Sequence, residues 1–189
     1  MRPQALFLSI LLCAAQITGA ATVAGAQESN LQSRFRAYSD PETAPRISNF
    51  SGMPVPRYAS LHRTDEPIRG RAGPSTDYPV EWKYELDGLP VIIVRETRDW
   101  RKIRDPHGDE AWVHRSLISG DRTVMAMYED YLRRTPEEDA APTAHFQSGV
   151  VFTLHGCEHG WCRLTNGNRS GWTQENKLWG SAPLPGEPR

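Results

Sequence analysis

The chain has 189 residues, of which 38% are hydrophobic and 24% charged, the composition of an ordinary soluble globular protein. Its 22 basic and 23 acidic side chains leave a formal net charge of −1, and no run of basic residues stands out. Nucleic-acid binding needs a concentrated positive face, so the sequence argues against a nucleic-acid partner. The 15 glycines, 15 prolines and 6 tryptophans favour short strands joined by tight turns over long helices.

Residues 1–26 have the three-part pattern of a secretory signal peptide. A positive start at Met1-Arg2 leads into the apolar segment 5–15, and a small-residue stretch ends in Ala24-Gly25-Ala26. The apolar segment is shorter than the roughly 20 residues that span a bilayer, which disfavours the alternative of an uncleaved membrane anchor. We therefore expect cleavage before Gln27, a periplasmic or secreted protein, and no stable membrane insertion after cleavage.

Two polar, proline-bearing stretches flank the rest of the chain. Residues 27–56 show no sustained hydrophobic period and are predicted to be a flexible leader. Residues 181–189 contain three prolines and are predicted to be a disordered tail.

Between these stretches the sequence contains two similar units, 57–120 and 132–180, joined by a connector at 121–131 that is predicted to add a strand or a short helix. In each unit a pair of an aliphatic residue and Arg is followed by a turn-rich string, an alternating strand, a turn glycine, a β-branched run and two tryptophan segments. The units share three landmark pairs, of which the first two are 61 positions apart and the third 60: Gly88 and Gly149, Trp100 and Trp161, Trp112 and Trp172.

The spacing of strands and turns predicts an all-β fold. Five short strands with such turns close into a small barrel, which removes exposed strand edges. Trp112 and Trp172 are predicted to anchor the two cores, and Trp179 to fill the contact between the barrels. The predicted fold class is therefore two small β-barrels in tandem.

The first unit resembles a bacterial SH3 domain. The resemblance is carried by Ile68-Arg69, the string GPSTDYPV at 73–80, Gly88, the run 91–94 and the segments DWRKI at 99–103 and WVHRSL at 112–117. The second unit resembles a more divergent copy that lacks the GPSTxY string, and its groove is expected to differ. The resemblance implies SH3-like barrels and binding, not catalysis.

The resemblance also implies a ligand class, because bacterial SH3 domains accompany cell-wall hydrolases as targeting modules and some bind wall peptides. We therefore expect an exported, non-catalytic binding module whose partner is a peptidoglycan stem peptide or an envelope protein. A structural scaffold in the periplasm without a small ligand is the alternative. A Cys/His-dependent hydrolase is a distant third.

The long GPSTDYP turn, which the first unit alone is expected to keep, predicts that the ligand site lies on the first barrel. The predicted contacts are rings and charges on or near this turn: Tyr78, Trp82, Trp100, Arg69 and Asp77. Tyr78 is expected to have Trp100 as its neighbour. Strand alternation puts Trp82 and Tyr84 on one face, so these two are alternatively core residues.

The segment HGCEHGWC at 155–162 carries the densest chemistry in the chain. A disulfide between Cys157 and Cys162 is the favoured interpretation, because export is oxidising and structural zinc sites draw ligands from two separated segments. A metal site, or a cysteine nucleophile with His155 or His159 as its base, are the alternatives. We expect no cofactor, no metal and no catalytic residue.

Overall fold

The computed structural model describes residues 44–62 and 65–184, in which almost all regular structure is β-strand. The predicted signal peptide, the leader up to residue 43 and the tail from residue 185 lie outside the described residues. Within the described ranges, no helix has both the length and the apolar character needed to cross a membrane.

A short hairpin precedes the first barrel. Strand β1 (Arg46–Ile47) pairs antiparallel with β2 (Pro54–Val55). The side chains of Val55 and Ser48 are buried, and the guanidinium of Arg46 donates to the carbonyl of Val94 at 3.3 Å. The end of the segment predicted as a flexible leader is therefore packed on the barrel. One buried valine and a few hydrogen bonds hold this hairpin on the barrel. The polar composition of the segment does not predict such contacts.

The first barrel is a seven-stranded antiparallel sheet in the order β5-β4-β8-β7-β6-β3-β9. A 3-10 helix, Arg115–Leu117, joins its last two strands. Aliphatic side chains that alternate along the strands fill its core, which includes Leu61, Ile93 and Ile103. Its strands are β3 (Arg57–Leu61), β4 (Ile68–Arg71), β5 (Val80–Tyr84), β6 (Pro90–Glu96), β7 (Trp100–Arg104), β8 (Glu110–His114) and β9 (Ile118–Ser119).

The second barrel has the same architecture, with the order β12-β11-β15-β14-β13-β10-β16. The 3-10 helix Glu175–Lys177 joins its last two strands, and Leu132, Phe152 and Leu164 are in its core. The predicted class, all-β with two SH3-like barrels, is confirmed. Its strands are β10 (Thr123–Ala126), β11 (Asp130–Arg133), β12 (Pro142–Phe146), β13 (Val151–Glu158), β14 (Trp161–Asn166), β15 (Arg169–Gln174) and β16 (Leu178–Trp179).

The turn glycines of the two units occupy the same place. The N–H of Gly88 donates to the carbonyl of Leu61 at 2.8 Å, and the N–H of Gly149 donates to that of Ala126 at 2.8 Å. Their φ angles are +72° and +86°, a region that favours glycine. The predicted equivalence of these two residues is confirmed. Strand β10, which carries Ala126, lies in the stretch predicted as the connector and belongs to the second sheet.

The opening strands align two residues away from the predicted register. Arg71 pairs with Trp112, and Arg133 pairs with Trp172, so Leu132-Arg133 corresponds to Gly70-Arg71 and not to Ile68-Arg69. The sequence comparison matched an aliphatic-Arg pair by residue type. In the folded barrels, the register of the opening strand depends on how closely it can approach the strand that it pairs with. Residue type alone does not reveal that.

The long turn after the opening strand is present in both barrels, contrary to the prediction that only the first has it. The N–H of Ala72 donates to the carbonyl of Pro79 at 3.1 Å, and the N–H of Arg134 donates to that of Ala141 at 3.0 Å. Internal turns at equivalent positions repeat as well. The backbone conformation is therefore retained although the letters GPSTxY are not.

Aromatic and polar contacts join the barrels. The rings of Tyr58 and Trp179 meet edge-on with centroids 5.9 Å apart, which confirms the prediction for Trp179. The guanidinium of Arg122 lies 3.8 Å from the centroid of the Tyr58 ring. The hydroxyl of Thr123 donates to the carbonyl of Gly88 at 2.8 Å.

Candidate functional site

A shallow groove of about 280 Å³ lies on the first barrel, between the long turn and the 3-10 helix. It is small beside a typical ligand pocket and suits one or two side chains of a bound peptide. The lining combines aromatic, aliphatic and cationic groups: Glu66, Pro67, Ile68, Arg69, Arg71, Thr76, Trp100, His114 and Leu117.

One wall of the groove is made of two rings in fixed orientation. Trp100 and His114 are a cross-strand pair of β7 and β8, and their rings meet edge-on with centroids 5.6 Å apart. The Nδ1 atom of His114 lies 2.8 Å from the hydroxyl of Ser116. The backbone N–H of Trp100 donates to the hydroxyl of Thr97 at 3.2 Å, which fixes the start of the strand. A preset aromatic wall offers contact area at low entropic cost.

Two arginines border the groove in different ways. The Nη1 atom of Arg71 donates to the carbonyls of Thr76 at 2.9 Å and Tyr78 at 2.6 Å, which holds the long turn against the barrel. The Nη2 atom of Arg69 lies 3.3 Å from a carboxylate oxygen of Glu66, and both side chains are exposed. Such a pair contributes little in water. Arg69 can therefore exchange Glu66 for the carboxylate of a ligand.

The predicted site residues fall in three places. Arg69 and Trp100 line the groove. The ring of Tyr78 packs on its own turn, since a Cβ on Gly73 would lie 2.6 Å from it. Asp77 accepts a hydrogen bond from the hydroxyl of Ser75 at 2.9 Å, and Trp82 lies on β5. Tyr78, Asp77 and Trp82 are not among the residues that line this groove.

The pairing of His114 with Trp100 is a feature that the predicted site residues did not include. Counting outward from the turn between β7 and β8, where Arg104 pairs with Glu110, places Trp100 opposite His114. The register of this hairpin could therefore have predicted the pairing of Trp100 with His114 from the sequence.

Tyr84 and Trp82 differ in burial although strand alternation puts them on the same face of β5. Tyr84 is 7% exposed and belongs to the core, whereas Trp82 is 41% exposed. Burial, with the nearby charges of Asp105 and Asp109, raises the pKa of Tyr84 far above its usual range. Its buried hydroxyl has no hydrogen-bond partner within residues 44–62 and 65–184.

The corresponding region of the second barrel has different chemistry. Asp130 accepts hydrogen bonds from the ammonium of Lys177 at 2.7 Å and from the hydroxyl of Thr173 at 3.1 Å. Burial raises the pKa of Asp130, but these hydrogen bonds outweigh it and the net pKa is lowered. Asp130 and Lys177 replace Ile68 and Leu117 of the first groove, so an internal ion pair stands where the first barrel has a buried isoleucine and a half-buried leucine.

A hollow of about 810 Å³ separates the hairpin from the first barrel, and its charge is satisfied internally. The carboxylate of Glu96 is hydrogen-bonded to the guanidinium of Arg57 and to the hydroxyl of Ser51, and the Nε of Arg101 lies 2.8 Å from it. Arg57 and Arg101 neutralise the buried carboxylate of Glu96, so this carboxylate is not available to a ligand.

A second hollow, of about 780 Å³, adjoins the cysteine hairpin. Cys157 and Cys162 are a cross-strand pair of β13 and β14 and form a disulfide, as predicted. The turn residues His159 and Gly160 both have positive φ, +50° and +81°, as a tight two-residue hairpin requires. Disulfide sulfurs are neither thiolate ligands nor nucleophiles, so this hairpin is a structural staple.

The family model of the bacterial SH3 domain matches this chain twice, over residues 66–120 and 129–180. The chain belongs to the bacterial SH3 domain family. The matched segments cover six of the seven described strands of each barrel, all but β3 and β10, and the first contains every residue that lines the groove. Bacterial SH3 domains are generally binding modules.

No curated protein matches the chain. Among solved structures it is similar to NlpC2 from Trichomonas vaginalis, with 12% identity over 66% of this chain and 48% of that one, at a TM-score of 0.31. It is also similar to NlpC1 from Trichomonas vaginalis, with 12% identity over 70% and 48%, at a TM-score of 0.30. The chain spans about half the length of these proteins, and scores this low support no argument about activity.

Proposed function

We propose that this chain is an exported, non-catalytic binding module whose first-barrel groove recognises the stem peptide of the bacterial cell wall. The single observation that carries the proposal is the joining of an aromatic wall and an exposed cation in one groove. Trp100 and His114 supply the rings, and Arg69 supplies the cation beside them. Export to the periplasm or beyond is part of the proposal and rests on the signal-peptide pattern of residues 1–26.

The chemistry of a stem peptide fits this groove. Such a peptide offers carboxylates, amines and small side chains. A carboxylate can replace Glu66 on Arg69, and a short aliphatic side chain can lie against the half-buried Leu117 at the floor of the groove. We do not expect the second barrel to bind the stem peptide, because the ion pair of Asp130 with Lys177 occupies the equivalent positions.

Sedimentation with purified peptidoglycan tests the proposal. The parent protein is expected to pellet with it, and Trp100→Ala to weaken binding about tenfold or more, as loss of an aromatic anchor does. Arg69→Ala is expected to weaken binding less. Trp161→Ala is the matched control, because Trp161 occupies the equivalent position in the second barrel and should leave binding unchanged.

The proposal fails if the parent does not pellet, or if a folded Trp100→Ala variant binds as the parent does. Circular dichroism of each variant separates loss of binding from loss of fold. Binding to an envelope protein in place of the wall would appear as capture from an envelope extract that persists after the peptidoglycan has been digested.

One observation favours a second candidate, a scaffold without a small ligand. The hairpin on the first barrel exposes Ile47, Phe50 and Met53, which are 64%, 60% and 50% exposed. Clustered apolar side chains at a surface are typical of protein contacts. Replacing all three with serine should leave peptidoglycan binding intact if the groove is the site, and should abolish envelope-protein capture if the scaffold reading is right.

A further inference from the structure

Strand β5 is an exposed edge of the first sheet. It is the terminal strand in the order of the sheet and pairs with β4 alone in the part of the chain that the structure describes. Four consecutive side chains, those of Val80, Glu81, Trp82 and Lys83, are exposed. A strand that packs by one face alternates between buried and exposed residues. The four consecutive exposed side chains therefore mean that both faces of this part of β5 are open to solvent.

The second barrel shows how an edge in this position can be protected. The equivalent strand, β12, begins with Pro142, which lacks a backbone donor, and carries Ala144 where β5 has Trp82. Proline on an edge strand is a common device against strand addition, and so are charged side chains, which β5 carries at Glu81 and Lys83. The first barrel keeps the donor at Val80 and adds a large aromatic ring, and its two charges deter only a strand that does not complement them.

We propose that β5 is the interface of a symmetric homodimer, in which β5 of two copies pair antiparallel about Trp82. The sequence of the strand, VEWKY, is complementary to itself in this register. Glu81 of each copy faces Lys83 of the other, Trp82 faces its own symmetry mate, and Val80 faces Tyr84. The two-fold axis passes through the Trp82 pair and makes each of the other contacts twice, as a closed dimer requires.

The charges of the strand are available for this pairing. Neither Glu81 nor Lys83 takes part in an ion pair or side-chain hydrogen bond within residues 44–62 and 65–184. Opposite charges directly across two antiparallel strands stabilise the pair, and like charges destabilise it. The equivalent residues of β12 are Thr143 and His145, which offer no such complement.

Exposed apolar side chains extend the contact beyond the strand. Tyr78 is 46% exposed, Leu86 is 43% exposed, and they lie on either side of β5. None of the exposed side chains of this edge lines the groove of Trp100 and His114, so the dimer would keep two separate grooves. A pairing through one strand of five residues buries a small area, and we expect a weak dimer that dissociates on dilution.

Sedimentation velocity of the protein purified after export, over a wide concentration range, tests the dimer. Glu81→Lys and Lys83→Glu each place like charges opposite one another twice, and each is expected to weaken dimerisation by about tenfold or more. The double variant Glu81→Lys/Lys83→Glu restores the complement in reverse and should dimerise as the parent does. An equimolar mixture of the two single variants should form a heterodimer.

Charge reversals elsewhere are the matched controls. Arg98→Glu and Glu138→Lys alter exposed residues in loops of the two units and should leave the association unchanged. Circular dichroism and thermal melts show whether each variant is folded. A parent that stays monomeric at every concentration overturns the proposal. A dimer that neither of the two single charge reversals on β5 weakens also overturns it, because the interface would then lie elsewhere.

Discussion

Gly70 and Ala111 lie face to face where strands β4 and β8 cross in the first barrel, and a Cβ atom on Gly70 would lie 2.8 Å from the Cβ of Ala111. The second barrel has the glycine on the other strand. A Cβ on Gly171 would lie 2.7 Å from the Cβ of Leu132. Each barrel therefore meets the same steric demand with one glycine, placed on opposite strands, and neither barrel can accept two side chains there.

Gly70→Ala and Gly171→Ala are each expected to destabilise the protein by about 1–3 kcal/mol, because overpacking a close crossing forces the strands apart. Gly120→Ala is the control, since a Cβ on Gly120 meets nothing within 4 Å. Urea unfolding measures all three variants. Equal stability of Gly70→Ala and Gly120→Ala would show that the crossing is looser than described.

Tyr84→Phe is expected to stabilise the protein by about 1 kcal/mol, because it removes a buried hydroxyl that has no partner among the described residues. The second barrel already has Phe146 at the equivalent position. Tyr128→Phe, at a side chain 64% exposed, should change little. Thermal unfolding compares the two, and a destabilised Tyr84→Phe would indicate that the hydroxyl makes a bond in solution.

The Cys157–Cys162 bridge closes a short loop, so its chain-entropy contribution is expected to be modest, about 2 kcal/mol. Protein purified after export should show no reactive thiol at these two positions, whether native or denatured, until a reductant is added. Reduction or a Cys157→Ser/Cys162→Ser variant should lower stability by that amount while peptidoglycan binding persists. Two readily alkylated cysteines in the native protein would contradict the bridge.

Glu96 should make stability depend on acid pH. Burial raises the pKa of Glu96, but hydrogen bonds from Arg57, Ser48 and Ser51 outweigh it and the pKa is lowered below 4.5. A carboxyl group whose pKa is lower in the folded state stabilises the fold above its unfolded pKa and loses that contribution as pH falls through the folded pKa.

Glu96→Gln is therefore expected to cost about 3 kcal/mol at neutral pH, because it leaves two arginines without their carboxylate. The variant should also lose less stability than the parent does between neutral pH and pH values below 4.5. Unfolding curves at several pH values measure the difference. Parallel curves for parent and variant would mean that Glu96 does not carry the acid dependence.

Most of the fold could be predicted from the sequence, because the turns and strands that specify it are local features. Gly88 and Gly149 recur with their turns, and the same hydrogen bond forms at each. The register of the opening strands was misassigned because Leu132 resembles Ile68 in type, whereas its position depends on the room that Gly171 leaves 39 residues later in the chain. Long-range packing of this kind is invisible to a comparison of residue types.

The candidate site was harder to predict, for two physical reasons. Strand alternation places Trp82 and Tyr84 on one face, but it does not indicate where a strand leaves the core, and β5 leaves it between these two residues. Tyr78 was expected to lie beside Trp100, but Arg71 bonds the carbonyls of Thr76 and Tyr78 and shapes the turn so that the Tyr78 ring packs on Gly73.

The six tryptophans provide a reporter in each relevant region of the molecule. Trp100 lines the groove, Trp82 lies on the edge strand, Trp161 occupies the equivalent of the groove in the second barrel, and Trp179 lies between the barrels. Their indole N–H signals can be followed separately in ¹H–¹⁵N correlation spectra once each has been assigned by substitution.

Titration of soluble stem peptide into the ¹⁵N-labelled protein is the most direct test of the central claim, that the first-barrel groove is the binding site. The indole signal of Trp100 is predicted to shift in a saturable way, together with the backbone amides of Arg69 and His114, while Trp161 and Trp179 stay in place. Saturable shifts confined to the second barrel, or none at all at millimolar peptide, would contradict it.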